Sequence, residues 1–237
     1  MLKSYYLINI VLFSILLCFA ACSKKTGTMT GNDGKVYNTV RIGNQVWMAE
    51  NLQESLYRDG TAIQLISDSQ KWINFSSGAY CIYDNDEKNA ALYGYLYNWR
   101  AVTHPANLAP EGWRVPTDMD WKDLEMFLGI ARAEIDRQSW RGAIAGSGGK
   151  MKANGTEFWQ HPNNEASNSS GFTALPGGYR NEKRQFRNLQ RSALFWSRTQ
   201  QSDDYAWSRY LNYRYSGISR SMHDKRCGFS VRLIKAD

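Results

Sequence analysis

The chain has 237 residues, which is enough for one domain with a hydrophobic core and too few for two large domains. Its net charge of +7 is concentrated towards the C-terminus, where residues 180 to 237 contain ten arginines and three lysines against five acidic residues. The three histidines, His104, His161 and His223, lie far apart, and none lies beside a cysteine pair, which excludes a local zinc-binding motif.

The N-terminal residues 1–21 have the order of a secretory signal peptide. Lys3 supplies a basic start, and "YYLINIVLFSILLCFAA" is an apolar run that ends in small residues. An uncleaved membrane anchor is the alternative, although the run is short for a bilayer span of about 20 residues. The sequence "CFAAC" resembles the lipobox of bacterial lipoproteins. We therefore expect cleavage before Cys22 and attachment of acyl chains such as palmitate to this residue.

Residues 22–30 are small, polar and glycine-containing, which predicts a flexible tether before a domain over residues 31–237. The expected location is the bacterial cell envelope, with a lipid anchor in the outer membrane. No acidic cluster follows Cys22, which favours the periplasmic face over the cell surface. Nucleic acid is not an expected partner there. The basic C-terminal region then either attracts anionic glycans or lipid headgroups, or is a solvated, arginine-rich sheet face.

The first half of the domain predicts one hairpin and two helices. Apolar and polar residues alternate from Val36 to Met48 around Gly43 and Asn44, which predicts a β-hairpin. Apolar residues then recur at helical spacing in two segments, "NAALYGYLYNWRAV" and "PTDMDWKDLEMFLG". The apolar faces are Leu92, Tyr95, Leu96 and Trp99 in the first, and Trp121, Leu124, Phe127 and Leu128 in the second. The second has Thr117 as its N-cap and Gly129 at its end.

The second half predicts a long loop and then strands. Glycine, asparagine and serine dominate from Arg132 to Ser170, which predicts a surface loop anchored by Phe158 and Trp159. Short strands are predicted around "FTALP", "ALFWSRT", "AWSRYLNY" and "GFSVRLI". The fold class is therefore α+β, with two helices, short antiparallel strands and many loops.

The glycine pair in "GFTALPGGYR", residues 171–180, favours a turn over a phosphate-binding loop. A phosphate-binding loop has glycines that open a helix, whereas Gly177 and Gly178 precede "YRNEKRQF", which has the pattern of another strand. We expect Phe172 to lie in the core and the glycines to turn the backbone through positive φ into that strand.

Two cysteines remain in the domain once Cys18 leaves with the signal peptide and Cys22 is acylated. Cys81 and Cys227 either form a disulfide in an oxidising compartment or are two separately buried thiols.

The asparagine-rich segment "HPNNEASN" is a candidate calcium site. Its possible oxygen ligands are Asn163, Asn164, Glu165 and Asn168. The segment resembles the "EPN" calcium signature of C-type lectins, but His161 stands where that signature has a coordinating glutamate. A hydrogen-bonded loop without metal is the alternative.

The segment "AWSRYLNYRYSG" is a candidate ligand surface. If it is a single strand, one face carries Trp207, Arg209, Leu211, Tyr213 and Tyr215, and the other carries Ser208, Tyr210, Asn212 and Arg214. One of the two faces must lie in the core. We expect Tyr210, Asn212 and Arg214 to be the exposed set, which suits contact with a glycan or a peptide. A merely solvated face is the alternative.

Seven blocks of the sequence resemble, in order, those of the Fibrobacter succinogenes major paralogous domain family. They cover residues 31 to 235 and are "DGKVYNTVRIGNQVWMAENL", "YGYLYNWRAV", "PEGWRVPTDMDWKDLE", "SSGFTALPGGYR", "LFWSRT", "AWSRYLNY" and "GFSVRLIK". The resemblance implies an exported protein with a C-type-lectin-like fold, similar to that of formylglycine-generating enzymes. Two cysteines usual in the family are replaced by Ala109 and Leu233, which implies that a disulfide typical of the family is missing here.

The resemblance does not imply catalysis. Formylglycine-generating enzymes use two neighbouring cysteines before their last block, and only Cys227 stands there in this chain. No histidine cluster and no "GxSxG" motif is present either. We therefore expect a non-catalytic domain, with no cofactor, that binds a glycan or another envelope protein. The alternatives are a redox or metal-dependent enzyme related to formylglycine-generating enzymes, and a structural adhesin or scaffold subunit.

Overall fold

The computed structural model describes residues 26–236. The helices in this part of the chain are α1 Ser69–Asn74, α2 Glu87–Tyr93, α3 Trp99–Val102 and α4 Asp118–Phe127, with 3-10 turns at Tyr83–Asn85 and Arg132–Glu134. The strands are β1 Thr26–Thr30, β2 Val36–Ile42, β3 Gln45–Met48, β4 Gln64–Leu65, β5 Ala79–Cys81, β6 Leu96–Tyr97, β7 Trp113–Arg114, β8 Ser139–Arg141, β9 Tyr179–Arg180, β10 Phe186–Arg187, β11 Ser192–Gln200, β12 Tyr205–Asn212, β13 Ile218–Asp224 and β14 Ile234–Lys235. The signal peptide and Cys22 lie outside the described residues.

The strands form four sheets, and almost all neighbours are antiparallel. The five-stranded sheet has the order β1-β2-β3-β14-β7, and the four-stranded sheet has the order β11-β12-β13-β8. A three-stranded sheet, β4-β5-β6, contains the parallel pair β4 and β5, and β9 pairs with β10. The predicted class of mixed helices and antiparallel strands is therefore confirmed. No helix within residues 26–236 has the length and apolar character that a bilayer crossing requires.

The N-terminal hairpin follows the sequence pattern, and the predicted tether is partly wrong. Strands β2 and β3 pair across Gly43, whose φ of +59° suits a glycine in a tight turn. Residues 26–30 of the expected tether instead form β1, which pairs along β2. Met29 of β1 is buried, so apolar packing as well as backbone hydrogen bonds orders this segment.

The predicted second helix is confirmed as α4, and the predicted first helix is confirmed only in part, because it is not continuous. Thr117 caps α4, its hydroxyl accepting from the Asp120 amide while the Asp120 carboxylate accepts from the Thr117 amide. Phe127, expected in the core, is 64% exposed. The segment predicted as one helix is divided by Gly94 into α2, β6 and α3. The helix ends at Gly94 because its φ of +76° lies outside the helical region. Only glycine fits there, since a Cβ would lie 2.9 Å from the Leu52 carbonyl oxygen.

Aromatic rings fill the core on both sides of the four-stranded sheet. Trp121, Phe172 and Trp159 pack in the cluster on one side, and Trp196 stacks on Phe229 on the other, with ring centroids 4.3 Å apart. The long loop predicted from Arg132 is mostly irregular, but it contains β8. The predicted positive φ is confirmed for Gly178, at +64° just before β9, but not for Gly177.

The two cysteines are separately buried thiols. Cys81 lies in β5, and Cys227 lies in the turn after β13. Burial raises the pKa of the Cys81 thiol to about 12 and also raises the pKa of the Cys227 thiol. The structure thus corresponds to the second of the two alternatives left by the sequence, because the side chains are not bonded to one another.

Candidate functional site

The four-stranded sheet presents two chemically different faces. Residues directly opposite one another in an antiparallel sheet share a face, and neighbours along a strand alternate. Tyr210 lies opposite both Leu194 and Ser219, and Ser219 lies opposite Trp140. We call this the hydroxyl face, and its polar and aromatic members are Trp140, Ser192, Ser208, Tyr210, Asn212, Ser219, Ser221 and His223. The opposite side, the arginine face, carries Arg141, Arg209 and Arg220.

The arginine face is a buried layer of ion pairs between the sheet and α4. Arg141 Nη2 lies 3.0 Å from both carboxylate oxygens of Glu125. Arg209 and Arg220 each place a guanidinium nitrogen 2.8 Å from Asp118. Burial alone would raise the pKa of Asp118, but the hydrogen bonds and charges of these two arginines outweigh it and hold the pKa well below its ordinary range. This face is therefore structural.

The hydroxyl face is held by neutral hydrogen bonds around Tyr210. The phenol oxygen accepts from Ser192 Oγ at 3.1 Å and from Asn212 Nδ2 at 2.8 Å. The hydroxyls of Ser219 and Ser221 lie 2.8 Å apart. On the β11 side this face joins the hydrophobic core. Tyr210, Ser221 and Trp140, on the other three strands, are partly exposed to solvent. The accessible part therefore offers uncharged donors and acceptors.

Three aromatic rings lie beside these hydroxyl groups. Trp140 stacks on Tyr215 with ring centroids 4.3 Å apart and an interplanar angle of 27°. The same indole lies 5.2 Å from the Tyr210 ring. Tyr215 is 49% exposed. Two aromatic rings that solvent can reach therefore lie next to the partly exposed hydroxyls of Tyr210 and Ser221.

The family model of the Fibrobacter succinogenes major domain matches residues 40–235 of this chain. The chain belongs to this family. The match extends from β2 to β14, so it includes the hydroxyl face and the asparagine-rich loop. No curated protein and no solved structure is similar enough to the chain to count as a match.

Within this family domain, the predicted ligand residues Tyr210, Asn212 and Arg214 lie close together. The expectation that Asn212 is exposed is wrong, because its side chain is buried and engaged in hydrogen bonds with its neighbours. Asn212 donates to Tyr210 and accepts from the Arg214 amide at 2.9 Å. The Arg214 side chain is exposed, and its guanidinium lies 5.1 Å from the Tyr213 ring centroid. The predicted placement of Tyr215 with the opposite set is wrong. Strand β12 ends at Asn212, which breaks the alternation and lets Tyr215 stack on an indole of the hydroxyl face.

Sequence reasoning missed Trp140. It lies in β8, a strand of three residues inside the segment that was predicted to be a loop. The run "SWR" is too short for strand alternation to be recognised, and only its pairing with β13 places the indole on the sheet. Ser139 precedes it with a φ of +72°, a conformation that no local pattern predicted.

The two polar segments singled out in the sequence meet at a buried ammonium group. Lys152 is fully buried, and its Nζ donates to the carbonyls of Asn164 at 2.9 Å, Tyr215 at 3.0 Å and Asn212 at 3.2 Å. Asn164 also donates to the Arg214 carbonyl at 2.7 Å. Burial lowers the pKa of Lys152 to about 8, with Glu165 acting in the opposite direction. Lys152 thus fixes the asparagine-rich loop against the end of β12.

The four candidate calcium ligands differ in their burial and in their hydrogen bonds to the rest of the protein. Asn163 is buried and donates to the Ala153 carbonyl at 3.0 Å. Asn168 exchanges hydrogen bonds with Thr173, and Asn164 and Glu165 are exposed. Within residues 26–236, no three His, Cys, Asp or Glu side chains are grouped so that they could hold a metal ion. Calcium binding through these oxygen atoms stays a prediction.

A serine and a histidine on the hydroxyl face are in contact. Ser208 Oγ lies 2.8 Å from His223 Nδ1 and donates to the Ser221 carbonyl at 3.1 Å. Burial lowers the pKa of His223 to about 4, with Glu182 acting in the opposite direction, so the ring is neutral at pH 7. Ser208 is fully buried. A substrate cannot reach its hydroxyl in this conformation, so the contact stabilises the sheet.

Proposed function

We propose that this domain binds a glycan, without catalysis, at the exposed edge of its hydroxyl face. The observation that carries the proposal is the stacked pair of Trp140 and Tyr215 beside the partly exposed Tyr210 and its hydroxyl. An aromatic ring offers apolar contact area to the C–H face of a sugar, and a phenol hydroxyl forms hydrogen bonds with sugar hydroxyls. Tyr215 is half exposed, so the platform is available to a ligand.

The state of the two thiols also supports a non-catalytic role. Cys81 and Cys227 are buried, and burial raises the pKa of both above the ordinary range for cysteine. The thiolate is the reactive form of cysteine, so thiols of this kind are poor nucleophiles and poor metal ligands at neutral pH.

The fold and the anchor belong to the same proposal. We assign a C-type-lectin-like fold from the order of the family blocks and from the mixed helices and antiparallel strands. The lipobox "CFAAC" supports lipid attachment at Cys22, and the absence of an acidic cluster after this residue favours the periplasmic face of the outer membrane over the cell surface. The anchor would then hold the platform close to envelope glycans.

The anchor is tested by replacing the acylated residue. We expect Cys22→Ser to abolish cleavage and acylation, because the lipid is attached to this cysteine. Metabolic labelling with an alkyne fatty acid, together with intact-protein mass spectrometry, measures both processes. A Cys18→Ser variant is the matched control and should be processed normally. Acylation of the Cys22→Ser variant would contradict the proposed anchor.

Glycan binding is tested with the full chain on an array of bacterial envelope glycans. The protein is kept in a detergent without a sugar headgroup, since a glycoside detergent would compete for the site. We expect one class of glycan to be retained by the wild type and lost from Trp140→Ala. The exposed aromatic variant Tyr205→Ala, on the far end of β12, is the control and should bind as the wild type does. Equal binding by Trp140→Ala, with unchanged circular dichroism, would refute the proposed site.

A further inference from the structure

A small surface cavity lies beside the end of β11 that is remote from Ser192, and its chemistry differs from that of the hydroxyl face. Its volume is about 90 Å³, and its walls come from the end of α3, the segment before β7, β7 itself and the end of β11. Four of its lining side chains are basic: Arg58, His104, Arg114 and Arg198. No aspartate or glutamate is among the described residues that line it.

The guanidinium of Arg58 is fixed by neutral acceptors. Its Nε donates to the Ala109 carbonyl at 2.9 Å, and its Nη2 donates to the Pro110 carbonyl at 2.9 Å and the Trp113 carbonyl at 3.3 Å. These carbonyls orient the group but leave its positive charge without a carboxylate. A fixed charge of this kind raises the potential in the cavity.

Arg198 supplies a charge that is free to turn towards a ligand. Its backbone is held by a hydrogen bond of 2.8 Å to the Pro116 carbonyl, just before α4. Its side chain is exposed. Within residues 26–236, no group accepts a hydrogen bond from its guanidinium or forms an ion pair with it. Arg114 differs, since its guanidinium is paired with Asp120.

His104 is the remaining basic residue that lines the cavity. Its Nδ1 accepts from the Ala106 amide at 3.3 Å, so the proton of the neutral ring is on Nε2. Its ring stacks on Tyr57 with centroids 4.2 Å apart, which fixes its plane. The exposed carboxylate of Asp59 interacts electrostatically with this histidine and offsets part of the positive charge. Three guanidinium groups against Asp120 and Asp59 still leave an excess of positive charge around the cavity.

We propose that this cavity binds a small oxyanion, such as phosphate, sulfate or the acidic group of a sugar. Planar guanidinium groups form paired, charge-assisted hydrogen bonds with oxyanions of this type. A cavity of about 90 Å³ has room for several water molecules or one such group. The site is separate from the hydroxyl face, so it does not depend on the glycan proposal.

Calorimetric titration of the full chain with inorganic phosphate tests the proposal. A second arm uses glucuronic acid with glucose as its uncharged control, which distinguishes a free ion from a sugar acid as the ligand. We expect saturable binding in at least one arm, and weaker binding as sodium chloride is raised, because salt screens exposed charges. We expect Arg198→Ala to weaken binding about tenfold or more through loss of a charge-assisted contact.

Arg132→Ala is the matched control, because this exposed arginine does not line the cavity. No described residue pairs with the exposed side chain of Arg198, so its variant should fold as the wild type does, which near-ultraviolet circular dichroism checks. No saturable binding of phosphate or glucuronic acid to the wild type would overturn the proposal. Equal affinities for the Arg198→Ala and Arg132→Ala variants would also overturn it.

Discussion

The two faces of the four-stranded sheet use polar residues in opposite ways. The arginine face buries full charges and balances them with Glu125 and Asp118 of α4. The hydroxyl face carries neutral groups and leaves Tyr215 half exposed beside Trp140. Some of the arginines that make the sequence look like that of an anion-binding protein, such as Arg209 and Arg220, are thus internal, whereas the hydroxyl face leaves aromatic rings available to a ligand. The residues that stabilise the sheet are thus different from those that we propose bind a glycan.

The largest expected effect comes from breaking the arginine face. Glu125→Ala leaves Arg141 and Arg209 without their shared carboxylate, so we expect the free energy of unfolding to fall by about 3–5 kcal/mol. Urea denaturation measures it. Glu134→Ala is the control, because Glu134 and Arg137 form an exposed pair at 3.7 Å and such pairs contribute at most about 1 kcal/mol. Similar losses for the two variants would show that the buried layer is not what stabilises the sheet.

The second prediction is that the two faces affect the free energy of unfolding in different pH ranges. Burial lowers the pKa of His223 to about 4, so the unfolded chain binds a proton near pH 6.5 that the folded chain does not bind until about pH 4. The stability that depends on a neutral ring is therefore present above about pH 6.5 and is lost as the pH falls towards 4, by about 2–3 kcal/mol. Asp118 acts below this window, since its pKa is lowered and its contribution is lost only in stronger acid.

Chemical denaturation of the wild type and His223→Gln between pH 7 and 4 checks this prediction. The difference between the two profiles isolates the histidine, because Glu54, whose pKa is raised by burial, contributes an opposing slope to both proteins. We expect the variant to lack the loss between pH 6.5 and 4. Parallel profiles would mean that His223 is not held neutral by the hydroxyl face.

Local sequence rules predicted the elements whose signals are contiguous. The hairpin around Gly43 and the capped helix α4 follow from turn chemistry, N-capping and apolar periodicity. Tyr210 and Asn212 were assigned to one side of their strand because alternation holds within β12. The same rule failed for Tyr215, because the strand ends three residues earlier.

Long-range pairing decided the features that local rules missed. The three residues of β8 become a strand only by pairing with β13, which is how Trp140 reaches the site. Likewise, residues 26–30 form a strand because they pair with β2. The predicted helix is divided at Gly94, where the backbone lies close to the Leu52 carbonyl. The net charge of the C-terminal region gave no sign that Arg180, Arg209, Arg220 and Arg232 are buried, because burial of each depends on acceptors distant in sequence.

The most direct test of the division between the two faces is the affinity of Tyr215→Ala for the glycan retained on the array. Tyr215 is exposed and its loss should leave the arginine face intact, so the variant should keep the unfolding free energy of the wild type within about 0.5 kcal/mol. We expect its dissociation constant to rise about tenfold or more, since truncation of a central aromatic contact in a binding site costs about 2 kcal/mol or more. Tyr205→Ala, which removes a ring of similar exposure from the opposite end of β12, should leave the dissociation constant unchanged. An unchanged dissociation constant for Tyr215→Ala would contradict the account.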